Sequence, residues 1–136
     1  MANKVMVIAK REYLERVRTR AFVITTLPAT QSSLGTPSGA SLLMDNRLAE
    51  FLNAGARTGL KAPMPFVCSG KLENALAAVM LLQKAGVPVL AGTDAPAPGS
   101  WNGVSLHQEL QFLVKAGFSP ADALAAATSV PPLCFI

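Results

Sequence analysis

The sequence predicts an α/β fold in which parallel strands are covered by helices. Three observations carry this. Half of the 136 residues are apolar and 15% are charged, enough for one modest domain with a core. The apolar mass is mainly Ala, Leu and Val, with 6% aromatic residues, which suits helix-on-sheet layers better than an all-β sandwich. Two near-continuous apolar runs, 21–27 and 87–91, stand among stretches of helical periodicity, the pattern of strands buried on both faces.

Residues 4–20 read as a basic amphipathic helix, with Val5, Ile8, Leu14 and Val17 as an imperfect stripe and Glu12–Arg16 as an i,i+4 pair. The β-branched run 21–27 reads as a buried strand stopped by Pro28. Residues 28–41, rich in Thr, Ser, Pro and Gly, read as loop. Asp45 then caps a short helix carrying Leu48, Phe51 and Leu52 and ending near Gly55. Residues 55–70 read as irregular. Ser69 is expected to cap a helix lined by Leu72, Leu76, Val79, Met80 and Leu82, with Gly86 at its exit. The strand 87–91 follows. Ser105 and Gln108 fit a capping box for a helix whose apolar positions are Leu106, Leu110, Leu113 and Val114. Ser119-Pro120 opens a last helix, with Asp122 near its positive end.

Charge is uneven. Residues 1–20 hold six basic and two acidic side chains, and the other 116 hold six of each, so the whole net charge of +4 lies in the first twenty. The chain therefore divides into a basic N-terminal helix, 1–20, and a neutral domain, 21–136. The domain offers no basic surface for nucleic acid. The basic helix reads either as a solvated segment or as one that meets a membrane surface or a partner. The run 5–9 is too short for a secretory h-region, and no apolar stretch approaches the ~20 residues of a membrane span. Cys68 and Cys134 match no metal or redox spacing and read as reduced, partly buried thiols in a cytoplasmic protein.

In parallel sheets chemistry gathers at the carboxyl ends of the strands. Asp94 stands at such an end, in Gly92-Thr93-Asp94 after the run 87–91. An Asp there either caps the turn or works in a site. Trp101 follows in the same loop, and His107, the single histidine, opens the next helix, so both are candidates for the wall of a substrate pocket. Local packing is the ordinary reading of each. "GVSLH" misses the nucleophile-elbow pattern, and the glycines at 92, 99 and 103 lack phosphate-loop spacing.

The segments "GTPSGASLLMDNRLAEFL" (35–52), "AGTDAP", "SLHQEL" and "AGFSPADALAAAT", with "AFVITTLPATQSS" before them, resemble the C-terminal part of a metal-dependent amidohydrolase barrel across about residues 21–134. The resemblance implies a partial (β/α) barrel of about its last two strand–helix units. It implies that Asp94 is a metal ligand, zinc first, and the carboxylate that moves the proton of metal-activated water during hydrolysis of an amide, ester or lactone. His107 and Trp101 would then face a small-molecule substrate. The family's HxH pair, its bridging Lys and its histidines on the fifth and sixth strands have no counterpart here, which leaves the implied site short of ligands. Residues 3–27, with "AKREYLERVRTRAF", resemble instead the cytosolic start of ABC-type export permeases, so the chain reads as a chimera. Two other functions stand beside the hydrolase: a non-catalytic α/β fragment that self-associates as a homo-oligomer, because two strands cannot bury both faces alone, and a chain held at a membrane surface by residues 1–20.

Overall fold

The computed structural model describes residues 22–130. The expected helix over 4–20, the start of the permease-like segment, the domain boundary at residue 20 and Cys134 lie outside them. Within them the chain is α/β and mostly helical. Strand β1 (Val23–Thr25) is followed by helix α1 (Leu27–Ser33), a 3-10 segment (Ser38–Met44), and helices α2 (Asn46–Ala49), α3 (Ala54–Lys61) and α4 (Leu72–Lys84). Strand β2 (Val89–Ala91) and helices α5 (Val104–Lys115) and α6 (Pro120–Ala127) complete the order. The two strands are parallel, with Val23 opposite Val89, Ile24 opposite Leu90 and Thr25 opposite Ala91. This two-stranded sheet is the whole of the sheet structure among the described residues.

Both strands are shorter than their apolar runs. β1 stops at Thr25 because a helix, not a loop, follows. Pro28 falls in the first turn of α1, where a missing N–H costs nothing and the fixed φ suits a helix. The Thr and Ser residues that signalled a loop bond back along this helix, Thr30 Oγ1 to Thr26 O at 3.1 Å and Ser33 Oγ to Ala29 O at 2.9 Å. Residues 38–44 then wind as a 3-10 segment, so the expected loop at 28–41 is largely helical.

Asp45 does cap a short helix, accepting from Arg47 N at 3.0 Å, but α2 ends at Ala49. Asn53 caps the next helix by accepting from Ala56 N at 2.8 Å, and Gly55 falls inside that helix instead of ending the previous one. Arg57 of α3 reaches back with Nε to Leu52 O and Nη2 to Ala49 O, which ties the two helices into one corner. The expected irregularity of 55–70 therefore holds only after Lys61. Lys71, not Ser69, occupies the N-cap of α4, and Gly86 exits that helix at φ +75°, a conformation glycine adopts without steric cost. Ser119 caps α6 as expected, accepting from Asp122 N at 3.1 Å.

The main core is built from Leu27, Val79, Val89, Phe112, Leu113 and Phe118, with Ala116 at the end of α5 and Ala123 and Ala126 of α6 closing it. A second cluster, Leu42, Leu60 and Val104, lies between the 3-10 segment, α3 and α5. Gly39 makes the second cluster possible. A Cβ there would stand 2.5 Å from Leu60 Cδ2 and 2.7 Å from Gly99 O.

Helix α5 departs most from expectation. It starts two residues earlier, with Gly103 at its N-cap, and Ser105 is not the cap but sits fully buried in the first turn, where its Oγ accepts from Trp101 N at 2.8 Å. Gln108 does not return to the helix start. Its Nε2 donates across to Ser38 O. The buried face is Val104, Ser105, Gln108, Glu109, Phe112 and Leu113, while Val114 is 41% exposed. The helix is turned so that three polar side chains point inward.

Candidate functional site

Three places bear on function: the end of β2, a cavity beside α5, and the interior face of α5. Asp94 lies three residues past β2, on the carboxyl side of the sheet. The backbone before it runs tight against β1. A Cβ at Gly92 would meet Ile24 Cγ2 at 2.7 Å and Thr25 O at 3.0 Å, so only glycine lets the strand leave in this direction. Asp94 itself has φ +52° and is exposed, and no hydrogen bond joins its carboxylate to another described residue. It does not cap the turn. Thr93 Oγ1 does, accepting from Ala95 N at 3.3 Å.

Trp101 and His107 come together elsewhere. They share a cavity of about 350 Å³ with Leu48, Phe51, Leu52 and Asn53, and Asp94 does not line it. Trp101 is half-buried. Its ring lies on α3, where a Cβ at Gly59 would stand 2.5 Å from Trp101 Cε3. His107 is exposed at the rim, and Phe51 is 79% exposed. Nearby, hydrogen bonds from Arg47, one of them its guanidinium at 2.8 Å, hold the Asp45 carboxyl down at about 2, and the charge of His107 adds a smaller pull in the same direction. The wall is aromatic and aliphatic with amide and imidazole edges, the usual make-up of a small-molecule pocket.

A zinc site of the kind the amidohydrolase resemblance implies needs about three protein ligands. Among the described residues, no three His, Cys, Asp or Glu side chains come together in a way that could hold a metal ion. Asp94 brings one carboxylate, and the single histidine lines a separate cavity. Cys68 is exposed, where partial burial was expected. The described residues thus do not fit a resident metal centre.

Glu109 lies on the interior face of α5, outside the candidate residues that the sequence suggests. Glu109 is fully buried. Its Oε2 accepts from Leu27 N at 2.7 Å, and its Oε1 lies 2.5 Å from Thr25 Oγ1. Thr25 Oγ1 is also 3.2 Å from Leu90 O. Burial pushes the Glu109 carboxyl up to about 7, against the opposing pull of the hydrogen bonds from Thr25 and Leu27. The sequence did hold a signal: Glu109 falls three residues after Leu106 and four before Leu113, an acid set into the apolar stripe.

No helix among the described residues is long and apolar enough to cross a membrane. No protein-family model, curated protein or solved structure matches the chain.

Proposed function

We propose that the chain is a self-associating, non-catalytic α/β unit of the amidohydrolase-barrel type, corresponding to about the last two strand–helix units of such a barrel. The observation that carries this is the orientation of α5. A helix that turns Ser105, Gln108 and Glu109 inward leaves apolar side chains outside. Val114 is 41% exposed, and Leu124 on the neighbouring α6 is 55% exposed. Between these helices runs a cleft of about 490 Å³ lined by Leu110, Val114, Pro120 and Ala123. On the sheet, Ile24 is 55% exposed although its partner Leu90 is buried. Exposed apolar surface on two neighbouring helices is what a partner surface would cover. A second copy of the chain is the occupant nearest in chemistry.

The hydrolase remains as a second reading because of one observation. Asp94 holds a left-handed backbone and an exposed, unbonded carboxylate at the strand end where such enzymes keep their metal ligand. On this reading the carboxylate works only when another chain supplies the missing donors.

Light scattering on the eluting protein distinguishes these. Self-association gives a mass at least twice 14.2 kDa at micromolar concentration, and Val114→Lys with Leu124→Lys returns it to 14.2 kDa. A wild-type monomer across that range refutes the assembly. Stoichiometric bound zinc with chelator-sensitive amide or ester hydrolysis would favour the second reading instead.

A further inference from the structure

The buried contacts of Glu109 do not balance if it is ionised. The Thr25 hydroxyl has one proton to donate and two acceptors in reach, Glu109 Oε1 at 2.5 Å and Leu90 O at 3.2 Å. Both contacts are hydrogen bonds at once only when the carboxyl supplies a proton of its own. The chain then closes: Glu109 O–H donates to Thr25 Oγ1, Thr25 O–H donates to Leu90 O, and Leu27 N–H donates to Glu109 Oε2. An ionised carboxylate in the same place would carry a full charge with no solvent contact, two donors for about four lone-pair sites, and no cation among the described residues to pair with.

The surroundings supply none. β1, β2, α1 and the 3-10 segment have no titratable side chain. On α4, Glu73 and Lys84 are exposed, as is Asp122 on α6, where it accepts from Ser119. On α5 itself His107 is exposed and Lys115 lies over the Phe112 ring, 5.4 Å from its centre. No charged group among the described residues stabilises either form of Glu109.

We propose that Glu109 is buried as a neutral acid and acts as a proton-operated latch, joining α5 to the end of β1, the edge of β2 and the start of α1. Loss of the proton removes the donor to Thr25 and leaves a charge in the core, which opens this corner. The latch sits on the carboxyl side of the sheet, the side on which Asp94 stands. It holds whether or not the chain self-associates, because Glu109 faces the interior.

The sign follows from proton uptake. The folded state holds the Glu109 proton up to about pH 7 and the unfolded chain releases it near 4.5, so folding is favoured most below 4.5 and the advantage is lost as pH rises through 7. The folding equilibrium constant should fall about tenfold per pH unit between those values, about 300-fold in all.

Urea unfolding of the full chain is measured from pH 4.5 to 8 for wild type and for Glu109→Gln, whose amide donates to Thr25 and whose carbonyl accepts from Leu27 at every pH. The expected result is that wild type loses stability relative to the variant as pH rises, then runs parallel to it above 7. A constant difference between the two proteins across the range overturns the proposal. If the variant does not fold, the carbonyl-carbon NMR shift of Glu109 in wild type decides. A titration midpoint within a unit of 7 supports the latch, and one in the ordinary carboxylate range refutes it.

Discussion

Two glycine-to-alanine substitutions test the packing beneath the cavity, because the same added methyl meets different neighbours. At Gly59 the new Cβ would stand 2.5 Å from Trp101 Cε3 and 2.8 Å from Cζ3. Those atoms belong to a half-buried ring that lines an open cavity, so the ring can move. Alanine inside α3 also gains about 1 kcal/mol of helix propensity. Against an overpacking cost of roughly 1–3 kcal/mol, Gly59→Ala should lose about 1 kcal/mol. At Gly39 the Cβ would stand 2.7 Å from Gly99 O and 2.5 Å from Leu60 Cδ2. One neighbour is backbone and the other is fully buried, so neither yields, and the loss should reach about 3 kcal/mol. The gap between the variants is about 2 kcal/mol, roughly a thirtyfold difference in folding equilibrium. The assay is urea unfolding followed by fluorescence, which reports one site because Trp101 is the only tryptophan. Gly59→Ala should also shift native emission as the ring is pushed toward solvent, while Gly39→Ala should leave the emission wavelength unchanged. Equal losses from both substitutions, or unchanged emission in Gly59→Ala, would show that Trp101 does not rest on α3.

Thr25→Val keeps the shape of the side chain but removes the hydroxyl between Glu109 and Leu90. It should cost about 1–3 kcal/mol by chemical denaturation, and less in a Glu109→Leu background, where no buried carboxyl is left unpaired. Asp94→Gly should leave stability unchanged or raise it slightly, because glycine relieves the left-handed backbone and no bond within the described residues is lost, whereas Asp94→Ala should fall about 1 kcal/mol below it. A loss above 1 kcal/mol in Asp94→Gly, read by the same denaturation, would make the carboxylate a structural group.

Elements with a single strong local signal were legible in the sequence. Asp45, Gly86 and Ser119 mark helix ends where expected, and both strands fall within their apolar runs. Misreadings arose where one residue type serves two local structures. Pro28 can stop a strand or begin a helix, and the following Thr and Ser can bond their own backbone in a loop or in a helix. Tertiary contact selected the helix, since Leu27, Pro28, Ala29 and Ser32 are all buried. Spacing alone places the stripe of α5 on Leu106, Leu110, Leu113 and Val114, of which only Leu113 is fully buried. The helix is instead rotated toward Ser105, Gln108 and Glu109, because their partners Trp101 N, Ser38 O, Leu27 N and Thr25 Oγ1 come from sequence positions up to 84 residues away. No local rule reaches that far. The candidate site divides on the same ground. Trp101 and His107 are six residues apart and meet on one cavity, while Asp94, seven residues before Trp101, leaves by way of its left-handed backbone.

The rotation of α5 ties the proposed latch to the proposed assembly while keeping the two separable. Glu109 and Val114 are five residues apart, about 140° around a helix of ~3.6 residues per turn, so one faces the core and the other solvent. Had α5 been rotated by that angle, Val114 would face the core and Glu109 would face solvent. The same turn of the helix therefore produces a buried proton and an uncovered apolar strip. Val114 lines the cleft with Leu110, Pro120 and Ala123, and Glu109 bonds Thr25 and Leu27, so substitutions at the two positions should act independently, with stability changes additive to within about 0.5 kcal/mol. Glu109→Gln should remove the pH dependence of folding and leave the solution mass alone. Val114→Lys should lower the mass and leave the pH dependence alone. A variant at one position that moved both readouts would mean that assembly closes on the latch itself, and the two proposals would collapse into one.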